Sequence, residues 1–268
     1  MTTRFTILGC GSSGGVPRLG GPDGHGGWGA CDPADPRNRR TRCSLLVERE
    51  GPDGTTRVLI DTAPDMRAQL LAAGVGDLDG VVWTHAHADH VHGIDDLRMI
   101  VIARRARLPV WCDEATYRDL RARFGYVFET PEGSSYPPIL DRRPIDGAVV
   151  VDGAGGPVTL TPVPVRHGDI DALGFRVGDL CYMPDFHDIP DASLPLLEGL
   201  EVWILDALRR APHPSHLNLD QALAWVERVG PRRAILTDLH NDLDHATVSR
   251  ETPAHVDVAH DGMTVTLP

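Results

Sequence analysis

The sequence predicts an α/β protein over residues 1–268: a single domain of two mixed β-sheets packed face to face with helices outside, an αββα sandwich. Three observations carry that expectation. Short runs rich in Val, Ile, Leu and Thr recur along the chain, bounded by Gly, Pro or Asp. These runs fall in clusters separated by single helical patterns, not in strict strand–helix alternation. The 28 Gly and 22 Pro favour many strands and turns over long helices.

In chain order, "FTILG" (5–9), "SLLVE" (44–48) and "RVLIDT" (57–62) read as strands. "PDMRAQLLAAG" (64–74) reads as a helix with Pro64 in its first turn and Gly74 as its stop. After the strand "GVVWTH" (80–85), the stretches "IDDLRMIVIARRA" (94–106) and "DEATYRDLRARFG" (113–125) space apolar residues three and four apart, as a helix face requires. The strand "LPVWC" (108–112) separates them. "FGYVFETPEGSSYPPIL" (124–140) is turn-rich and aromatic, and is either a surface loop or a lid or substrate wall. The second half is mostly strand: "GAVVV" (147–151), "PVTLTPVPV" (157–165), "LGFRV" (173–177), "LCYMPD" (180–185) and "EVWILDA" (201–207). "NLDQALAWVERVG" (218–230) is a helix capped by Asn218 and stopped by Gly230, followed by "RAILTD" (233–238) and "MTVTL" (263–267).

Bulk properties narrow the functional classes. A formal charge of −12 disfavours a nucleic-acid-binding surface, which is normally basic. No apolar run approaches the ~20 residues that cross a bilayer, and "MTTRFTILGCGSSGG" lacks the apolar core of a signal peptide. A cytoplasmic protein without membrane association is expected. The five cysteines, Cys10, Cys31, Cys43, Cys112 and Cys181, form no CxxC pair and read as reduced packing residues.

The stretch "WTHAHADHVHG" (83–93) packs four histidines and an aspartate into eleven residues. His85, His87, Asp89 and His90 follow a β-run directly, where a strand end opening into a tight loop can aim several side chains at one point. Imidazoles and a carboxylate are the ligands that suit zinc, manganese or iron. His92 lies outside the HxHxDH run and is set apart from the ligands. One loop rarely completes a hydrolytic metal site, so the later strand ends matter: His167 after "TPVPVR", Asp185 after "LCYMP", and Asp238 and His240 after "RAILT". Two residues apart, Asp238 and His240 share a face if the strand continues.

These residues, in this order, resemble the signature of the metallo-β-lactamase-fold hydrolases, in which HxHxDH is followed by a separate His, Asp and His. The stretches "ILGCGSSGGVP", "DPRNRRTRCSLLVE" and "HPSHLNLDQAL" look more narrowly like the PhnP-like phosphoribosyl cyclic phosphodiesterase branch, a relative of ribonuclease Z. The likeness runs over essentially the whole chain. It implies two divalent ions, zinc or manganese, with His85, His87 and His167 on the first, Asp89 and His90 on the second, and Asp185 bridging. Asp89 thereby counts as catalytic as well as a ligand. The last ligand of the second metal departs from the pattern: relatives read Thr-His where this chain has Thr237-Asp238. His240 is the expected ligand, with Asp238 as its substitute. Relatives also hold a structural zinc with a CxCxxC cluster and a later His. Here only Cys31 remains, with Gly26 and Trp28 in the other places and Asn241 for the histidine, so no structural zinc is expected.

Two ions bridged by Asp185 would hold an attacking hydroxide between them, and His216 in "HPSHL" is the candidate general acid or phosphate contact, with His213 nearby. The plain alternative for His216 is a polar residue flanking the Asn218 cap. "GCGSSGGVP" lacks the Lys and Ser/Thr of a P-loop, so its glycines read as tight backbone beside the metals. "PRNRRTR" is a solvated turn or an arginine source for a substrate phosphate. The leading expectation is a phosphodiesterase acting on a small cyclic or nucleotide-like phosphoester, hence a small phosphorylated substrate as partner, with a homodimer compatible. Two alternatives stand beside it: a thioester or lactone hydrolase on the same centre, and a non-catalytic nucleotide- or metal-binding protein. RNA processing fits poorly with the −12 charge.

Overall fold

The computed structural model describes residues 2–21 and 23–268. Among them, fourteen strands form two mixed seven-stranded sheets. The first contains β1 (Thr3–Gly9), β2 (Ser44–Gly51), β3 (Gly54–Ile60), β4 (Gly80–Val82), β5 (Leu108–Cys112) and β6 (Leu140–Pro144). The second contains β7 (Val149–Val151), β8 (Val158–His167), β9 (Ile170–Val177), β10 (Leu180–Met183), β11 (Val202–Asp206), β12 (Arg233–Thr237) and β13 (Val256–Val258). β14 (Met263–Leu267) returns to the first, beside β1. The strand orders are β14-β1-β2-β3-β4-β5-β6 and β13-β12-β11-β10-β9-β8-β7. The helices are α1 (Met66–Ala72), α2 (Ala88–Val91), α3 (Leu97–Arg104), α4 (Glu114–Phe124), α5 (Leu219–Val229) and α6 (His245–Glu251). None of the described helices is long and apolar enough to cross a membrane.

The chain forms two compact units that interleave in sequence. Unit 1 takes in the chain up to Leu8, Ser44–Leu160 and Thr264–Pro268, and unit 2 takes in Gly9–Cys43 and Thr161–Met263.

In unit 1, β2 and β3 form an antiparallel hairpin with Leu45 opposite Ile60, and β3 to β6 run parallel. Parallel neighbours need a crossover, and α1, α2 with α3, and α4 supply the three in turn. Leu46, Leu59, Leu70, Trp83, Leu97 and Leu120 are part of one buried cluster. Trp83 brings its indole N–H into this core and donates it to Thr62 Oγ1 at 2.9 Å, so the buried donor is satisfied.

In unit 2, β9 is antiparallel to β8 and β10, while β10 to β13 run parallel. β10 and β11 are buried along their whole length, the continuous apolar run expected of parallel strands covered on both faces. Helix α5 buries Leu219, Ala222 and Val226, one stripe at helical spacing. Its N-terminus is closed by a capping box, in which Gln221 N–H donates to Asn218 at 2.8 Å and Asn218 N–H to Gln221 at 2.9 Å. Gly230 ends it in the left-handed conformation, φ 67°.

The four helices expected from apolar spacing and caps, α1, α3, α4 and α5, are present, with a 3-10 turn (Ile94–Asp96) leading into α3. Pro64 lies before the Asp65 N-cap of α1 rather than in its first turn. The strands and α-helices without a sequence signal are β6, β13, α2 and α6. β6 reads "LDRRP"; it is an edge strand paired only with β5, where charge and proline blunt further pairing.

Candidate metal centre

Unit 1 presents its ligands at the carboxyl ends of two parallel strands. Ile60 of β3 lies beside Val82 of β4, so the residues after each strand leave the sheet at one edge, the usual place for a site in parallel sheets. Asp61 follows β3 and is buried in a left-handed conformation, φ 66°. Its carboxylate accepts from Thr84 N–H, the Thr84 hydroxyl and His90 Nδ1–H, each at 2.8 Å. Because that hydroxyl proton goes to Asp61, Thr84 Oγ1 is left to accept from His85 Nδ1–H at 3.0 Å. In the neutral form of either ring the lone pair is therefore on Nε2, the tautomer that binds a metal.

The loop brings its four expected ligands together. The His85 ring lies 4.5 Å from the His87 ring and 4.3 Å from the His90 ring, centre to centre. His90 Nε2 is 3.6 Å from Asp89 Oδ2. The loop can fold back on the end of β3 because Gly93 carries no side chain: a Cβ there would overlap the Ala63 carbonyl. His92 stands apart, exposed and edge-on to Phe124 at 5.6 Å.

Unit 2 repeats this logic. β8, β10, β11 and β12 all point the same way, so His167 ending β8, Asp185 after β10, Asp206 ending β11 and Asp238 after β12 share one edge. His167 Nδ1–H donates to Ser215 O at 2.8 Å, and its Nε2 lies 3.6 Å from Asp185 Oδ2. His216 Nδ1–H donates to Asp206 Oδ2 at 2.8 Å, with Asp238 Oδ2 at 3.2 Å. Its Nε2 lies 3.9 Å from Asp185 Oδ2, and its ring 4.6 Å from that of His167 and 5.1 Å from that of His213. One ligand atom each from Asp185, His216 and Asp238 falls within 4.8 Å of the others.

Charge explains what such a group needs. Burial, and then the charge of Asp185, pushes the Asp238 carboxyl well above the usual carboxylate range. Burial opposes protonation of His216, but Asp206 and then Asp238 outweigh it and push the imidazolium up to about 12. With Asp185, Asp206 and Asp238 all ionised, one imidazolium would leave the group short of positive charge, which is why burial and mutual repulsion push Asp238 upward. Divalent cations fit that shortage, and the Nε2 lone pairs of His85, His90 and His167 fit them equally.

The structure redirects one expectation. His240 is not in the unit 2 group: its half-buried ring bonds Asp242 Oδ1 through Nδ1 at 3.1 Å, and its N–H donates to Leu208 O at 2.9 Å. β12 ends at Thr237 and Asp238 turns left-handed, φ 58°, so the face-sharing of residues two apart does not extend to this pair. Asp238, the substitute, is the residue brought to Asp185.

Near Cys31 lies a web of hydrogen bonds. Arg40, buried, donates to His240 O at 3.2 Å, Leu243 O at 2.7 Å and Asn38 Oδ1 at 3.2 Å, with Cys31 Sγ at 3.9 Å. Asn241 donates to Gly27 O at 3.0 Å and accepts from Ala30 N–H at 2.8 Å. All five cysteines are free and buried. Asp61 and Asp206 were missed by sequence reasoning. Their one signal is an aspartate closing an apolar run, as in "VLID" and "WILD".

Ligand-type histidines and carboxylates at the carboxyl ends of strands, in two mixed sheets, define a metallo-β-lactamase-fold protein, a class that works with divalent metals. A family model described as "Beta-lactamase superfamily domain" matches residues 56–238. A solved structure described as a new diphosphatase from the PhnP family is 36% identical, with a TM-score of 0.86 over 100% of this chain and 98% of that one. The chain belongs to the PhnP family of the metallo-β-lactamase-fold hydrolases. Among curated proteins, an octanoyltransferase of Porphyromonas gingivalis is 33% identical over 97% of this chain and 51% of its own length. A ribonuclease Z of Bradyrhizobium sp. (strain ORS 278) is 31% identical over 53% of this chain and 45% of its own. The chain thus spans about half the length of these curated relatives.

Proposed function

We propose that the protein is a dinuclear metal-dependent phosphodiesterase acting on a small cyclic or nucleotide-like phosphoester. The observation that carries this reading is His216, clamped by Asp206 through Nδ1 and set among the ligand carboxylates Asp185 and Asp238. A histidine so placed suits protonation of a leaving oxygen, a step that a phosphodiester needs. Likeness to a PhnP-family diphosphatase and to ribonuclease Z supports the phosphorus chemistry.

In this reading the metal roles follow the family order: His85, His87 and His167 for one ion, Asp89, His90 and Asp238 for the other, and Asp185 for both. Zinc or manganese held there would supply Lewis acidity and a nucleophilic water near neutral pH. The remaining work belongs to the chain. Asp61 orients His90, Thr84 orients His85, and the Ser215 carbonyl orients His167. His216 Nε2–H gives its proton to the leaving oxygen while Asp206 keeps hold of Nδ1–H. A small phosphorylated substrate, a cytoplasmic setting and a homodimer without a membrane or nucleic-acid partner belong to the same reading.

Protein loaded with Mn or Zn should cleave bis-p-nitrophenyl phosphate or a nucleoside cyclic phosphate. An inert protein with both metals bound would overturn the proposal. The acyl-transfer name of one relative makes a thioester and a lactone the right competitors. Faster turnover of either would reassign the centre to carbonyl substrates.

A further inference from the structure

The aromatic segment 124–140 forms part of a cleft within unit 1. A cavity of about 300 Å³ is lined by Arg98, Tyr126, Pro131, Ser134 and Tyr136. We infer that this cleft is a subsite for a planar aromatic group on the substrate, a nucleobase or aryl ring attached to the phosphoester. The inference rests on the phosphodiesterase reading and specifies its substrate class.

The cleft is built, not merely left over. Ile139 N–H donates to Val127 O at 2.9 Å and ties the ends of the segment together. Inside it, Ser134 N–H donates to Pro131 O at 3.0 Å, closing a turn whose third residue, Gly133, has φ 77°. That is the position where a type II turn demands a left-handed residue, which glycine supplies without strain. Tyr136 N–H then donates to Ser134 Oγ at 3.2 Å. A wall fixed in this way binds a flat ring with little further loss of chain entropy.

Its chemistry selects a π-system. Tyr136 is 73% exposed and Tyr126 40%, so two large rings are presented to whatever enters. The Arg98 guanidinium lies 5.8 Å from the centre of the Tyr126 ring, and Asp95 balances its charge through a hydrogen bond of 2.8 Å. Phenol rings and a guanidinium plane already ion-paired to Asp95 favour stacking over capture of a second anion. The volume sits at the lower end of small-ligand sites, enough for a base or nitrophenyl group and too little for an oligonucleotide.

Location ties the cleft to the chemistry. Arg123, three residues before Tyr126, donates to the carbonyl of Ala86 at 2.6 Å, and Ala86 stands between His85 and His87. Phe124 packs edge-on to His92 at 5.6 Å. The end of α4, from which the segment carrying Tyr126 continues, therefore contacts the loop that carries His85, His87, Asp89 and His90.

The test compares two diesters on the metal-loaded protein: bis-p-nitrophenyl phosphate, and glycerol cyclic phosphate, which has no ring. Tyr136→Ala and Tyr126→Leu should each lower the aryl-over-glycerol ratio of kcat/KM at least about fivefold, mainly through KM, as expected for loss of one stacking face. A ratio that stays put in both variants, with circular dichroism showing both folded, overturns the subsite. If the wild-type protein cleaves neither diester, the phosphodiesterase reading fails, and the subsite is then judged by binding alone. Adenosine monophosphate titrated by calorimetry should bind the wild type and lose at least about fivefold in affinity in Tyr136→Ala. Equal affinity, or no binding to the wild type, overturns it.

Discussion

At the residue scale, two buried aspartates behind the histidines set which ring nitrogen each histidine presents. Asp61 commits the Nδ1 proton of His90, and Asp206 commits that of His216, so each ring presents Nε2. Asp238 differs from them because its carboxylate lies within 4.8 Å of ligand-type atoms of Asp185 and His216. Asp238→Ala should lower metal content toward one ion per chain and reduce diesterase activity at least about a hundredfold, beyond what loss of a residue behind the ligands costs. His240→Ala, which removes only the contact with Asp242, should change both by less than about threefold. Elemental analysis and steady-state rates on the two variants decide the matter; the opposite ranking returns the ligand role to His240. The His85–His90 cluster was legible in the sequence because its residues are contiguous. Asp238 was legible only as the substitute for His240, because one left-handed residue at the end of β12 changes which side chain meets Asp185.

At the element scale, helix α6 shows how a single cap links distant segments. Asp244 accepts from Thr247 N–H at 2.9 Å within the helix, from Asn38 Nδ2 at 2.8 Å and from Asp32 N–H at 3.2 Å. Burial alone would raise its carboxyl, but the hydrogen bonds from Thr247 and Asn38 outweigh that and hold it well below the usual range. A carboxyl depressed in the folded state stabilises fully above its unfolded value, near ~3.9, and loses that contribution as pH falls toward the folded value. Asp244→Ala should therefore cost about 1 kcal/mol at pH 7, and the deficit should shrink below pH ~4. Urea midpoints at pH 7 and pH 3 measure it, and a deficit that does not change with pH contradicts the account. Helix α5 was readable because its cap, stripe and stop all lie within thirteen consecutive residues, 218–230. Helix α6, seven residues with no apolar stripe, depends on partners at 32 and 38 and gave no such signal.

At the scale of the whole molecule, long-range ties inside unit 2 do work that no single element can. Arg40 joins the N-terminal segment to the loop after Asp238 through two backbone carbonyls 200 and 203 residues away. Arg40→Met keeps an apolar stem but leaves those buried acceptors and Asn38 Oδ1 without this donor. The expected cost is about 2–4 kcal/mol, seen as a lower urea midpoint. An unchanged midpoint would mean that shedding the buried charge offsets the lost hydrogen bonds.

The sequence by itself determined the two mixed sheets with their main helices, the family, and the clustering of histidines at His85–His90. All of these depend on periodicity, caps and spacing within short windows, which any contiguous stretch displays. Only the tertiary structure decided that Asp238 and not His240 lies with Asp185, that Asp61 and Asp206 hold the histidines, and that the 124–140 segment forms a cleft. Those outcomes arise where strand ends from separate stretches meet at one sheet edge, and where a left-handed backbone or a closed loop redirects side chains. Contacts between residues tens to hundreds of positions apart settle them, and no local pattern encodes such contacts.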